Sequence, residues 1–425
     1  MNRDYKSFFG GSAAALGGVV VIGGCNYLTR RILAGSLSLD HYGFFYGMFS
    51  FVVFAVFVAR LGTTEATAYL LPRAMAENKE CEARSLFSWI GRFTLAATFC
   101  LVLAGALFSP WIARHLLDYP PGTFYWCLFL PYAVITGIDM FTIGCLNGMR
   151  EFLVNNLIQS GKAVLLFLAV WLTAGSWGIL SPILFYNLLF LISALSGLLH
   201  LRRRRGWSLT VPPGPGMAGR VFPVSVWLAM FAFGDTVVTH LSTVSLAVFS
   251  SLEEVALYNI AMPVAQIVKS LVALSVVFAP VATGMFVRGQ YRDVRRLCLL
   301  VTGLELLAFP FLALVLWLFG DQIITLMFGS RFIPARNAMA VITSAMIFWA
   351  IAQFNMTALN AMGKQHWSAW ITLAGALAAI SGFCLFLPRG GALAAAVVSG
   401  GACVLWAAVS GVVLFRHLAG KIRQA

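Results

Sequence analysis

Long apolar runs separated by short polar breaks dominate the pattern of this chain. About 20 consecutive apolar residues are enough for an α-helix to cross the hydrocarbon core of a bilayer. The runs predict about twelve spanning helices, over residues 9–31, 42–71, 85–108, 123–147, 157–175, 180–200, 221–248, 256–286, 297–319, 335–360, 367–387 and 391–415. The apolar run at residues 8–28 is too long for the core of a typical signal peptide, so we expect it to be the first span. The pattern therefore predicts an all-α integral membrane protein.

Composition favours a bilayer rather than water as the solvent of this chain. The 425 residues are 60% hydrophobic and 10% charged, whereas soluble domains have roughly 25% charged residues. The net charge is +14, and most of the basic residues lie between the apolar runs. Membrane topology and contact with anionic lipid explain such residues better than binding to nucleic acid does. The eight cysteines include no CxxC pair, so we expect no disulfide, no metal site and no cofactor.

The basic residues of the loops predict the orientation of the chain. With the N-terminus inside, nineteen Lys and Arg residues fall in the inner loops and terminal segments and six in the outer ones. The positive-inside rule then places both termini in the cytoplasm. We expect the chain to reside in the inner membrane of a bacterium or archaeon. The outer loops are all too short to fold as a catalytic domain. We therefore predict a transporter and not an enzyme.

An internal repeat relates the two halves of the sequence at an offset of 213 residues. Residues 38–45 align with residues 251–258, and residues 146–149 align with residues 359–362. An offset of half the chain gives six helices per repeat, and an even number gives both copies the same orientation. We expect two six-helix lobes related by a pseudo-twofold axis along the membrane normal.

The predicted domains follow from this repeat. Residues 1–201 form the first lobe, residues 202–220 form a basic and proline-rich cytoplasmic linker, and residues 221–425 form the second lobe. Rocking of one lobe against the other would give alternating access.

Two cations inside the predicted spans form the candidate substrate site. Arg60 lies in the second span with Thr64 four residues later, and Lys269 lies in the eighth span with Gln266 one turn earlier. Counted from the matched loops, the two cations differ in position by one helical turn. Buried cations at one depth would attract an anion such as a pyrophosphate. The alternative is a buried ion pair within each lobe, with Glu65 or Glu305 as the acid.

Acidic groups and one histidine could couple transport to a proton or sodium gradient. Asp235 begins a polar stripe in the seventh span that continues through Thr239, Ser242 and Thr243. The candidates for coupling are Asp235, His240, Asp40 and Glu65. A structural hydrogen bond between helices is the alternative for Asp235 and His240.

Charged residues near the predicted helix ends have two interpretations. Arg30 and Arg31 either guard the outer mouth of the cavity as part of the substrate site or reach the lipid headgroups. Asp40 lies close by in sequence and could pair with either arginine. We expect Arg92 and Lys162 to reach the cytoplasmic headgroups, and we leave Asp139 open.

Several segments resemble the polysaccharide transporter family of the multidrug/oligosaccharidyl-lipid/polysaccharide (MOP) superfamily, the O-antigen-type flippases. The likeness rests on residues 38–45 after the first helix, residues 254–261 as their second copy, and residues 146–150 at the exit of the fourth helix. The segment at residues 319–335 is similar to the amphipathic stretch before the tenth helix of that family.

The resemblance implies two six-helix lobes around a cationic cavity lined by helices one, two, seven and eight. It implies a lipid-pyrophosphate-linked oligosaccharide as substrate, with Arg60 and Lys269 holding the pyrophosphate. The expected partners are this glycan, membrane lipids and other polysaccharide-assembly proteins, without nucleic acid. A cation-coupled exporter of drugs or other small molecules is the main alternative, followed by a membrane enzyme and a scaffold protein.

Overall fold

The computed structural model describes residues 2–117, 119–149, 151–272, 285–286 and 289–424. The end of the predicted eighth span, residues 273–284, lies outside the described residues, as do the loop residues Arg150 and Arg288.

The described residues are almost entirely helical, and no strand occurs among them. The first half contains α1 (Asn2–Ser36), α2 (Leu39–Arg60), α3 (Thr63–Ala76), α4 (Glu80–Leu107), α5 (Thr123–Gly148), α6 (Phe152–Trp177) and α7 (Leu180–Arg205). The second half contains α8 (Met217–Phe249), α9 (Leu252–Val272), α10 (Tyr291–Phe328), α11 (Arg336–Ala361) and α12 (Gln365–Gln424). Nine segments of the described chain are long and apolar enough to cross a membrane. The predicted all-α, multi-pass fold is thus confirmed.

The second predicted span, residues 42–71, is wrong as a single helix. It breaks after Arg60, because Leu61 and Gly62 adopt left-handed backbone angles with φ of 50° and 74°. A Cβ atom on Gly62 would lie 2.3 Å from the Ser225 carbonyl oxygen, so only glycine fits this close approach. The Thr63 hydroxyl donates to the Arg60 carbonyl at 2.9 Å and so holds the corner between α2 and α3.

The predicted break between the last two spans is confirmed within α12. Gly391 has φ 49° and ψ −139°, a conformation that favours glycine and interrupts the helix. The Ala392 N–H then donates to the Glu254 carboxylate at 2.6 Å. Glu254 therefore satisfies one of the amides that the second part of α12 leaves without a helical partner.

The segment predicted as a linker packs closely against the first half. Its four arginines complete α7, and Trp207 is buried against Phe87 with ring centroids 5.4 Å apart. Arg92 donates to the carbonyls of Leu209 and Thr210, each at 2.7 Å. Arg92 is exposed and binds the main chain of this segment.

The chain divides into two compact units, which we call the first lobe (Met1–Ala229) and the second lobe (Met230–Ala425). The division falls inside α8, so residues 202–220 belong to the first lobe.

Contacts within each lobe confirm the predicted repeat. The Ser38 hydroxyl accepts from the His41 N–H at 3.2 Å, and at an offset of 213 Ser251 accepts from Glu254 at 3.3 Å. Three further contacts of the first half have a counterpart at the same offset in the second half. The contact Arg30–Tyr46 corresponds to Thr243–Asn259, and Phe45–Tyr186 corresponds to Tyr258–Ser399. The contact Gln159–Ser193 corresponds to Thr372–Trp406. The two halves therefore use the same positions for contact and different residues to make it.

Candidate functional site

Arg60 is a buried cation at the end of α2, and its side chain is 3% exposed. Its guanidinium donates to the Thr64 hydroxyl at 2.7 Å and to the Val56 carbonyl at 3.3 Å. The nearest carboxylate oxygen belongs to Glu65, which lies 4.0 Å away and is 29% exposed. Thr64, four residues after Arg60, contacts it across the corner between α2 and α3 rather than along one turn of a continuous helix. Arg60 is thus held in place mainly by neutral oxygen atoms.

Arg30 and Arg31 point in different directions from α1. Arg30 lies over the ring of Tyr46, with its Cζ 4.7 Å from the ring centroid. Arg31 is exposed, and Asp40 is exposed in the first turn of α2. A carboxylate suits that position because the first turn of a helix carries partial positive charge. Of these three predicted residues, Arg30 is the one that the fold turns inward.

A buried ion pair in the first lobe was missed by the sequence analysis. Lys162 on α6 donates to Asp139 on α5 at 2.7 Å, and their side chains are 11% and 2% exposed. The other Asp139 oxygen accepts from the Ser193 hydroxyl at 2.6 Å. Lys162 therefore does not extend to the headgroups as we expected, since its charge is neutralised inside the lobe.

A polar cavity of about 210 Å³ adjoins this pair. Its described lining contains the cations Arg30 and Lys162, the amides Asn26 and Gln159, and the phenol of Tyr186, but no carboxylate. The Lys162 ammonium also lies 3.8 Å from the ring centroid of Phe190. The cavity thus offers amide and hydroxyl donors and the Arg30 guanidinium to a small anionic or hydroxyl-rich group, while the charge of Lys162 is already neutralised by Asp139.

The second lobe joins two predicted site residues in one contact. Lys269 on α9 donates directly to Asp235 on α8, and their side chains are 15% and 42% exposed. The ammonium of Lys269 also lies 4.1 Å from the centroid of the Trp349 ring. The predicted substrate cation and the predicted coupling acid are therefore a single ion pair.

The other acid considered for Lys269 is wrong as its partner. Glu305 is buried on α10, and within the described part of the chain neither carboxylate oxygen has a hydrogen-bond partner. Asp235 is accordingly the acid that neutralises Lys269. Gln266 is partly buried on α9, one turn before Lys269.

The polar stripe predicted on the seventh span is not a regular helical face. A π-helical turn at Val237–Leu241, which contains His240, interrupts α8. One extra residue turns all later positions by about 100° around the helix axis. Thr243 is fully buried against Asn259, whereas Asp235 bonds Lys269. The two ends of the stripe therefore have different partners.

A spacing signal for both ion pairs was present in the sequence. Asp139 and Lys162 lie at nearly equal distances from the loop at Arg150 that joins their helices. Asp235 and Lys269 flank the loop at residues 250–251 in a similar way. Because antiparallel neighbours place such positions at one depth, opposite charges there indicate a pair.

Among the residues that the structure describes, no group of three or more His, Cys, Asp or Glu could hold a metal ion.

Comparison with known sequences gives the family. Residues 10–285 match the sequence model of a family described as "Polysaccharide biosynthesis protein", and this match covers more than half of the chain. The chain belongs to the polysaccharide biosynthesis protein family. The chain is also similar to the uncharacterized membrane protein MJ1068 of Methanocaldococcus jannaschii. The two are 22% identical over 395 residues, which cover 88% of this chain and 77% of the archaeal one.

Solved structures give the fold of this polysaccharide biosynthesis protein. An inward-facing multidrug resistance MATE family transporter of the MOP superfamily superposes with a TM-score of 0.81 at 10% identity, over 97% of this chain and 99% of that one. The lipid II flippase MurJ in an inward closed conformation gives a TM-score of 0.71 at 15% identity, over 94% and 86%. The sequence match thus gives the family, and these two superpositions show that the chain has the fold of the two membrane proteins.

Proposed function

We propose that this chain moves a lipid-pyrophosphate-linked oligosaccharide, such as an undecaprenyl-linked polysaccharide unit, from the cytoplasmic to the outer leaflet. The observation that carries the proposal is the buried guanidinium of Arg60, which neutral oxygens hold and whose nearest carboxylate is 4.0 Å away. Such a group can accept a phosphate without first losing a strong ion pair. The family match to polysaccharide biosynthesis supports a glycan as the remainder of the substrate.

Coupling is proposed at the pair of Asp235 and Lys269. A pyrophosphate that binds Lys269 would compete with the Asp235 carboxylate for the same ammonium. A proton or sodium ion on Asp235 would release Lys269 for the substrate, which links uptake of the cation to binding of the anion. The 42% exposure of Asp235 leaves its carboxylate accessible to such a cation.

The second candidate is a cation-coupled exporter of small molecules. The partly exposed carboxylate of Asp235 favours it, because an acid of this kind could also receive a cationic drug. In both candidates the termini lie in the cytoplasm and the chain resides in the inner membrane.

The test is transfer of a fluorescent undecaprenyl-pyrophosphate glycan in proteoliposomes. We expect transfer faster than in empty liposomes, and no acceleration of a fluorescent phosphatidylcholine in the same vesicles. Equal acceleration of both lipids would indicate a nonspecific scramblase. No transfer of several glycans by folded protein under applied ion gradients would favour the exporter.

Replacing Asp235 by asparagine is expected to remove the dependence of transport on a proton or sodium gradient. The amide is isosteric but carries no charge and does not titrate, so the ionic attraction to Lys269 is permanently lost. The rate is measured in vesicles with and without each gradient. Asp321→Asn is the matched control, since Asp321 is also half-exposed in the second lobe and pairs with Arg336 at 3.3 Å. Gradient-independent transport by the wild type would remove the coupling proposal.

A further inference from the structure

The C-terminal end of α7 forms a basic notch beside four consecutive arginines. The cavity there has a volume of about 430 Å³. We call it the α7 notch, and its lining residues are Ser196, Leu199, His200, Arg203 and Arg204. Their spacing of three and four residues places them along one face of the helix. Arg202 and Arg205 carry the same charge but do not line the notch.

An exposed apolar stripe leads along α7 to the notch. Leu188, Ile192, Leu195 and Leu199 recur at helical spacing, and each is between 46% and 49% exposed. In a membrane-spanning helix, such exposed side chains contact lipid hydrocarbon. The notch therefore lies where the lipid-facing surface of α7 changes from apolar to basic.

Glu151 arranges two of the three basic groups. Its carboxylate contacts the His200 ring nitrogen at 2.5 Å and the Arg204 Nε at 3.5 Å. Glu151 is itself only 8% exposed, so this arrangement is built into the lobe. In the described part of the chain, no carboxylate lies within 4.0 Å of Arg203. Arg203 is thus the notch cation that remains available to a ligand.

The arrangement is specific to the first half of the chain. At the offset of 213 residues, Glu151 corresponds to Lys364 and Ser196 corresponds to Val409. Although Arg203 corresponds to Arg416, the second half lacks the acid that would position neighbouring bases. The notch is therefore not a general consequence of a basic helix end.

We propose that the α7 notch binds the phosphate headgroup of an anionic phospholipid. The Arg203 guanidinium donates two parallel hydrogen bonds to the phosphate oxygens, and Ser196 offers a hydroxyl donor nearby. The acyl chains lie along the exposed stripe from Leu188 to Leu199. Because both parts of the surface are needed, the site selects a lipid over a soluble phosphate. This proposal is independent of the transported substrate.

The test compares ligands on the purified full-length chain in detergent. We expect phosphatidylglycerol to raise the melting temperature in a saturable manner, since a ligand that binds only the folded state stabilises it. Phosphatidylcholine with the same acyl chains, glycerol phosphate and inorganic phosphate should each give little shift. A rise of equal size with soluble phosphate would overturn the lipid proposal and leave a simple anion site.

Two single-charge variants separate the notch from the general charge of the helix. Arg203→Gln should raise the half-saturating concentration of phosphatidylglycerol at least about tenfold, whereas Arg202→Gln should leave it within about twofold. Arg203→Lys should be intermediate, because an ammonium keeps the charge but loses the paired geometry. Equal weakening by Arg203→Gln and Arg202→Gln would show that only the number of charges matters and would overturn the site. If Arg203→Gln does not fold, the half-saturating concentration for Arg203→Lys is compared with that for Arg202→Gln instead.

Discussion

Arg60→Ala is expected to reduce transfer of the pyrophosphate-linked glycan to the rate of empty liposomes. The guanidinium is 3% exposed and is oriented by Thr64 and the Val56 carbonyl, so alanine removes a cation that is held in a fixed position. Arg60→Lys should retain part of the rate, because the charge remains but the forked donor geometry is lost. The measurement is the initial rate of transfer in proteoliposomes at equal protein content.

Folding of the Arg60 variants can be controlled separately. Glu65 is 29% exposed, so water can solvate it once its cation is gone, and we expect normal membrane levels. Arg73→Ala is the matched control on the neighbouring helix, since its side chain is 66% exposed and pairs with the exposed Glu77 at 3.1 Å. Transfer at the wild-type rate by Arg60→Ala, and also by a variant with both Arg60 and Lys269 replaced by alanine, would refute the cation site.

Lys162→Ala is expected to lower the free energy of unfolding by about 3–5 kcal/mol. The substitution leaves the carboxylate of Asp139, whose side chain is 2% exposed, buried without its cation. Adding Asp139→Asn should recover most of this loss, because the amide carries no charge and still accepts from Ser193. The measurement is reversible unfolding in detergent, followed by circular dichroism.

An exposed pair supplies the control for this second prediction. Lys79 and Glu77 are 2.6 Å apart, closer than Lys162 and Asp139, but their side chains are 56% and 40% exposed. Lys79→Ala should therefore produce no measurable change, since water solvates the remaining carboxylate. If Lys162→Ala behaved like Lys79→Ala, the buried pair would have no structural role. If the double variant were less stable than either single variant, the charge explanation would be wrong.

The sequence predicts most of the helices well, because the length of an apolar run that can span a bilayer is set by the bilayer thickness and not by contacts elsewhere in the chain. It also predicts the break near Gly391, because the apolar runs at residues 367–387 and 391–415 are separated there. The corner at Gly62 was missed because its cause, the close approach of the Ser225 carbonyl, comes from a residue far along the chain. Local pattern does not contain such a contact.

The candidate site shows a similar limit. Polar stripes selected Arg60, Asp235 and Lys269 as candidates, since ionisable groups in apolar runs are rare. They did not reveal which groups neutralise each other, because pairing depends on the rotation of each helix as well as on depth. The π turn around His240 makes this clear, since one extra residue in α8 gives Asp235 and Thr243 different partners.

The matched contacts at an offset of 213 residues have a consequence for how the two halves can change. Gln159 meets Ser193 in the first half, and Thr372 meets Trp406 in the second. A substitution at Gln159 alters a neighbour in its own half and has no chemical equivalent at Thr372. Each half is therefore its own unit of compensation, because the contact to be restored has different chemistry in the two halves. What the two halves have in common here is which positions touch, so the repeat is visible in geometry where the residues differ.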